Sequence, residues 1–239
     1  MYTMISFVMA VIPSVYLVCY YYRQDKQKTE PKGLVVKIFL LGILYVIPVI
    51  FLELLAGLFS RLFLGSPILF CLVRAFIVAG LCEEFIKLMV VKKYAYNNVH
   101  FDEVMDGILY TVAASLGFAC LENILYVMST NLQTAVIRAV LAVPMHAGCS
   151  GLMGYYIGKA KFAQSKKEEK NLIYKGLGIA VLLHGLYDFC IFISPILGAA
   201  FGLLTFPIVI LTLLSLKTKI KMAIDEDIYA ARVPLKEFI

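Results

Sequence analysis

Seven apolar stretches, each close to the ~20 residues that cross a bilayer as a helix, run through this chain at 4–22, 34–60, 67–91, 104–128, 134–157, 173–193 and 196–216. They are too long for the core helices of a small soluble domain. None alternates apolar and polar residues with period two, so helices rather than barrel strands are expected. The expected fold is all-α: a polytopic transmembrane bundle of about seven spans. It forms one integral membrane domain over residues 1–239, with a motif-bearing core at about 67–193 and a cytoplasmic tail at 217–239. Composition agrees, with 62% hydrophobic and 16% charged residues, against about 25% charged in soluble domains. A soluble enzyme, a nucleic-acid partner and a disordered chain are thereby excluded.

Basic residues orient the spans. Arg23, Lys26, Lys28 and Lys32 follow the first span, and Lys92 and Lys93 follow the third. Lys159, Lys161, Lys166, Lys167, Lys170 and Lys175 follow the fifth, and Lys217, Lys219, Lys221, Arg232 and Lys236 follow the seventh. These are 17 of the 22 basic residues, and the alternate loops hold almost none. By the positive-inside rule the N-terminus is outside and the C-terminus cytoplasmic. The first apolar run has no basic region before it and no small-residue cleavage site after it, so it is expected to be retained. The charge runs, Lys166–Lys170 and the tail, are expected to be solvated. Gly148, Gly151, Gly154 and Gly158 are spaced to let the fifth helix approach a neighbour closely within the bundle. The six cysteines show no metal or disulfide spacing and read as small buried hydrophobes.

Several residues are costly where they stand. Glu83, Glu84 and Lys87 lie inside the third span, at about 2.5–3.5 kcal/mol each on the insertion scale. Lys87 is four residues after Glu83 and three after Glu84, so it can reach either on one helical face or extend toward the cytoplasm. A packing ion pair would account for one glutamate but not both. Adjacent carboxylates in low dielectric do not readily both ionise, and a glutamate kept partly protonated suits general acid–base work. The fourth span carries Glu122 and Asn123, with Asp106-Gly107 at its entry, where an acid complements the helix dipole. The fifth carries His146. The sixth carries His184 and Asp188 at i, i+4, where the carboxylate could orient the imidazole. Four successive helices thus point to one shared intramembrane site.

In their order and spacing, Glu83-Glu84-x-x-Lys87, Asp106-Gly107, Gly117-Phe118-Ala119-x-x-Glu122-Asn123, His146 with its glycine-rich helix, and His184-x-x-Tyr187-Asp188 resemble the PrsW family of membrane proteases. That family is related to the prenyl-protein (CAAX) and bacteriocin-processing peptidases. The resemblance implies a membrane-embedded endopeptidase of the bacterial plasma membrane. It would make the first cut in a single-span anti-sigma factor, after which a second intramembrane protease frees the sigma factor. It implies Glu83, Glu84, Glu122, His146 and His184 as catalytic residues, supported by Lys87, Asn123 and Asp188. At the position of the prenyl peptidases' second-motif histidine stands Glu122, which leaves room for a metal.

A metal-free reaction is favoured, with Glu83 or Glu84 as base and no cofactor. His146, His184 and Asn123 would then polarise the carbonyl or hold its oxyanion. The alternative is zinc held by His146, His184 and Glu122 across helices, since no HExxH motif is present. A proton-coupled transporter or channel is the rival class, and a CAAX-type or bacteriocin-processing peptidase the rival within peptidases.

Overall fold

The computed structural model describes residues 2–232, and the side chains of 7–131 and 133–232. Among the described residues there are seven helical rods and no strand. They are α1 Tyr2–Tyr22, α2 Lys32–Phe63, α3 over 67–94, α4 Val104–Ser129, α5 Gln133–Lys161, α6 Lys166–Leu197 and α7 Ala199–Arg232. Lys236 and the rest of the tail past Arg232 lie outside the described residues. α2, α4, α5, α6 and α7 are long and apolar enough to cross a membrane. α1 adds the shorter apolar stretch Phe7–Tyr22. α3 carries Glu83, Glu84 and Lys87 in its second half.

Four rods depart from regular α-helix, α7 by a turn at Leu204 between Ala199–Leu203 and Thr205–Arg232. α2 breaks at Tyr45, where Pro48 three residues on has no N–H for the Leu44 carbonyl and crowds it with its ring. α3 is π-helical over Arg74–Leu81 and α5 over Arg138–Ala142, each just ahead of its site residues.

α4 is the central post. Every residue from Val104 to Cys120 is buried, as expected for a helix without a charged face. α5 lies against it backbone to backbone. A Cβ on Gly154 would fall 2.4 Å from the Gly107 carbonyl oxygen, and one on Gly158 2.2 Å from that of Val104. The close approach read from the glycine spacing is therefore made within the bundle. Ile47, Phe51, Leu55 and Leu211 are exposed on the outer rods, as lipid-facing residues are.

The segments rich in lysine meet at one end. Lys92 Nζ and the Tyr96 hydroxyl reach Glu169 at 3.4 and 3.0 Å. Lys161 Nζ donates to the Tyr96 carbonyl at 2.6 Å, Lys159 pairs with Glu226 at 2.8 Å, and Lys28 pairs with Asp102. Of the charge runs, Lys166–Lys170 is solvated as expected apart from Glu169, whereas Glu226 and Asp227 of the tail take up partners. α6 and α7 continue as helix past their apolar stretches, and their acids tie the loops together. Asp227 accepts from the Val104 and Met105 amides at 2.7 and 3.0 Å. It thereby satisfies two donors that the start of α4 would otherwise leave open.

Candidate active site

Each of the four expected helices delivers its polar residues to one place, and Lys87 is at the centre. Its side chain is 1% exposed. Its three N–H groups meet Glu83 Oε2 at 3.1 Å, Glu84 Oε1 at 2.7 Å and His146 Nδ1 at 3.0 Å. The Phe118 ring lies 4.6 Å away and covers the ammonium. Lys87 therefore does not extend to the cytoplasmic end, and it pairs with both glutamates rather than one. The reason is physical: withdrawing it would leave two carboxylates buried without a counter-charge.

The two glutamates differ. Glu84 is fully buried and held by Lys87, by the Ser150 hydroxyl at 2.7 Å and by His184 Nδ1 at 2.9 Å. With Ser150 donating to Glu84, the Ser115 hydroxyl is the donor for its own contacts, to the Ser150 oxygen at 2.8 Å and to the His146 carbonyl at 2.9 Å. Glu83 has Lys87 as its close partner and faces His146 Nδ1 and His184 Nε2, both at 3.9 Å.

An ammonium only donates, so His146 Nδ1 must accept from Lys87, and its Nε2–H then donates to Glu122 at 2.9 Å. Glu122 in turn pairs with Arg138 Nη2 at 2.9 Å. Arg138 Nε donates to Asn123 Oδ1 at 2.7 Å, and the guanidinium lies 4.0 Å over the Tyr126 ring. The two imidazoles meet edge to face, with centroids 5.1 Å apart.

Three of the expected residues have partners that the sequence did not specify. Asn123 buttresses Arg138 instead of facing the reaction space. Asp188 lies 3.5 Å from His184 Nε2, but Glu84 is what holds that ring, at Nδ1. Glu122 is taken by Arg138 and His146.

A cavity of about 740 Å³ opens beside this cluster, within the ~300–1,000 Å³ of ligand pockets. Glu83, Glu122, His146, His184 and Asp188 line it, and it reaches Ser60, Arg61 and Thr134 at the lysine-poor ends of α2 and α5. Glu84 and Lys87 are behind its wall. Glu53 and Arg138 line it too. Glu53 is an acid inside the apolar run 34–60, so the rule that finds Glu122 finds it as well. Arg138 stands out as a cation within an apolar run. Ser115 and Ser150 give no signal, because hydroxyls are common in membrane helices.

Glu83, Glu84, His146 and His184 can each bring one donor atom within 4.8 Å of the others. Two imidazoles with carboxylates are the donor chemistry of zinc, so the residues fit such an ion once it displaces the Lys87 ammonium that three of them hold. Glu122 is not in that set.

Bilayer-length helices that gather carboxylates and imidazoles around a ligand-sized cavity fit a membrane-embedded hydrolytic enzyme, and kinship decides between that class and a proton-coupled transporter. The family model described as PrsW family intramembrane metalloprotease matches residues 30–214, and the chain belongs to that family. It is 39% identical over 193 residues to a protein named Protease PrsW from Geobacillus kaustophilus, covering 81% of this chain and 82% of the relative. It is 37% identical to the one from Bacillus subtilis, over 75% of this chain and 79% of that one. With the one from Clostridioides difficile it shares 34%, over 79% of each. No solved structure matches the chain. The protein is thus a multi-pass membrane protease, and its bacterial relatives indicate the cell membrane.

Proposed function

We propose that the protein hydrolyses a peptide bond of a single-span membrane protein from the lysine-poor, extracytoplasmic side. On this reading it makes the first cut in an anti-sigma factor, and a second intramembrane protease acts after it. The observation that carries this is the cavity. Glu83, His146 and His184 face it, and it runs to the ends of α2 and α5 that lack lysines.

Glu83 is the general base. Of the two adjacent glutamates it is the one facing the cavity, and Lys87 at 3.1 Å holds its carboxylate in place. Glu84 is a positioning residue that fixes Lys87 and His184. His184, held at Nδ1 by Glu84, as the imidazolium passes its Nε2 proton to the leaving amine, and Asp188 at 3.5 Å and Glu83 at 3.9 Å from that nitrogen are placed to restore it. Arg138 supplies positive charge beside the cavity where an oxyanion would form. A zinc ion, if carried by Glu83, Glu84, His146 and His184, would polarise the scissile carbonyl or lower the pKa of a bound water. The metal-free reaction remains our preferred version.

The test is cleavage of a single-span reporter by purified protein in nanodiscs, normalised to folded enzyme. Glu83→Gln should lose at least ~100-fold, the lower end of a general-base contribution, at unchanged abundance. Full activity in that variant would overturn the assignment. Loss of activity with a strong chelator and its recovery with zinc would replace the metal-free version by the zinc one.

A further inference from the structure

Away from the cavity, a second set of carboxylates meets at the lysine-rich end. Asp25 and Glu30 come from the α1–α2 loop, Asp102 and Glu103 from the segment before α4, and Asp106 from its first turn. Asp227 of α7 caps the same helix start.

Three of these acids share one arrangement. Asp25 Oδ2 accepts from the Glu30 amide at 3.2 Å. Asp106 Oδ2 accepts from the Asp102 and Glu103 amides at 2.8 and 2.7 Å. The Glu103 side chain accepts from the Asp106 amide, which completes a capping box. In each case the second oxygen, Asp25 Oδ1, Asp106 Oδ1 and Glu103 Oε2, is buried and has no hydrogen-bond partner. Asp25 is 3% exposed and Asp106 is fully buried. The three residues can each bring one oxygen within 4.8 Å of the other two. Glu30, Asp102 and Asp106 form a second such group that shares Asp106.

A buried oxygen without a partner loses the full desolvation free energy of the group. Three of them on adjacent carboxylates add mutual repulsion. Lys28 pairs with Asp102, but its side chain is 63% exposed. The backbone fixes one oxygen of each acid and leaves the other presented, which is how a cation site is pre-organised. Oxygen-only, carboxylate-rich donors select a hard divalent cation rather than zinc.

We propose that Asp25, Glu103 and Asp106, with Glu30 and Asp102 beside them, bind a hard divalent cation, calcium or magnesium, that fastens the first loop to the start of α4. The site lies at the end of the bundle opposite the cavity mouth, and the inference does not depend on the assignment of Glu83.

The test uses the full chain in nanodiscs, stripped with chelator and then titrated with calcium or magnesium. A ligand bound only by the folded state raises the unfolding midpoint, and at ~100-fold excess over Kd the rise should be at least ~3 °C. Asp106→Asn keeps an oxygen for the two amides and removes the presented carboxylate charge, so the rise should disappear. If Asp106→Asn does not fold, Asp25→Asn in the loop should abolish or halve the rise. Glu84→Gln should retain the full response, which separates this site from the cluster at the cavity. No rise in the parent protein, or an equal rise in parent and Asp25→Asn, would overturn the proposal.

Discussion

Lys87 holds three acceptors with three donors, so it cannot be removed without leaving charge behind. Replacing Lys87 by Met removes one partner of a buried ion cluster, a change that destabilises by about 3–5 kcal/mol. The expected outcome is a lower unfolding midpoint and lower membrane abundance, whereas Glu83→Gln should change turnover at normal abundance. A Lys87→Met protein as stable as the parent would remove Lys87 from the centre of the network. A second residue-scale outcome concerns the cation-free protein. Burial, followed by the repulsion of neighbouring acids, raises Glu30 to about 8, Glu103 to about 7 and Asp25 to about 6. Asp102, Asp106, Asp227, Lys28, Tyr22 and Tyr110 face the same group. Folded values above the unfolded ones mean that the native state holds more protons. The stabilisation is complete below about pH 4 and is lost as pH rises through 6 to 8. Thermal midpoints of chelated protein should therefore fall between about pH 5 and pH 9, and a flat profile would contradict it. Glu83, Glu84, His146 and His184 are legible in the sequence because a titratable group in an apolar run is costly. Which glutamate faces the cavity is not legible, since that depends on helix rotation against three neighbours.

At the scale of elements, both π-helical segments immediately precede site residues. Arg74–Leu81 ends two residues before Glu83, and Arg138–Ala142 ends four before His146. A π turn holds one extra residue, so it rotates what lies on one side by about 100° relative to the other. In α5 that phase lets Arg138 reach Glu122 while His146 points at the same carboxylate. Deleting Val140 takes out the extra residue and leaves Arg138 and His146 seven apart on regular helix, which is still one face, so turnover per folded molecule should stay within a fewfold of the parent. A loss of tenfold or more in a protein that still extracts as a folded bundle would show that the π turn matters for more than this phase. The number of rods and their rough places were legible because long apolar runs stand out, but α6 runs on through Pro195 to Leu197, past the break expected after 193. The π turns were not, since Ala75-Phe76-Ile77-Val78-Ala79-Gly80 reads as ordinary membrane helix. Nor was the helical continuation of α7, because charges such as Asp227 look solvated until a partner helix start is known.

For the whole molecule, sidedness is the main quantity. The first, third and fifth loops and the α7 extension share one end through Lys28–Asp102, Tyr96–Glu169 and Lys159–Glu226. That is the set the lysine pattern assigns to the cytoplasm. In a cysteine-free background, a membrane-impermeant thiol reagent added to intact cells should label Thr130→Cys and spare Lys167→Cys. The opposite result would reverse the molecule. The position of His184, thirteen residues from the lysine-poor end of α6, has a consequence for what can be cut. At helical rise it is about 20 Å below that end, a distance that about six residues of extended chain would span. A peptide bond inside a substrate helix is shielded by its own ladder, so the segment that descends must first unwind. The enzyme would then act as a depth gauge: it would select a bond by its reach from the bilayer surface rather than by the side chains flanking it. Inserting residues in the substrate's stalk should move the scissile bond along the sequence and leave its depth unchanged.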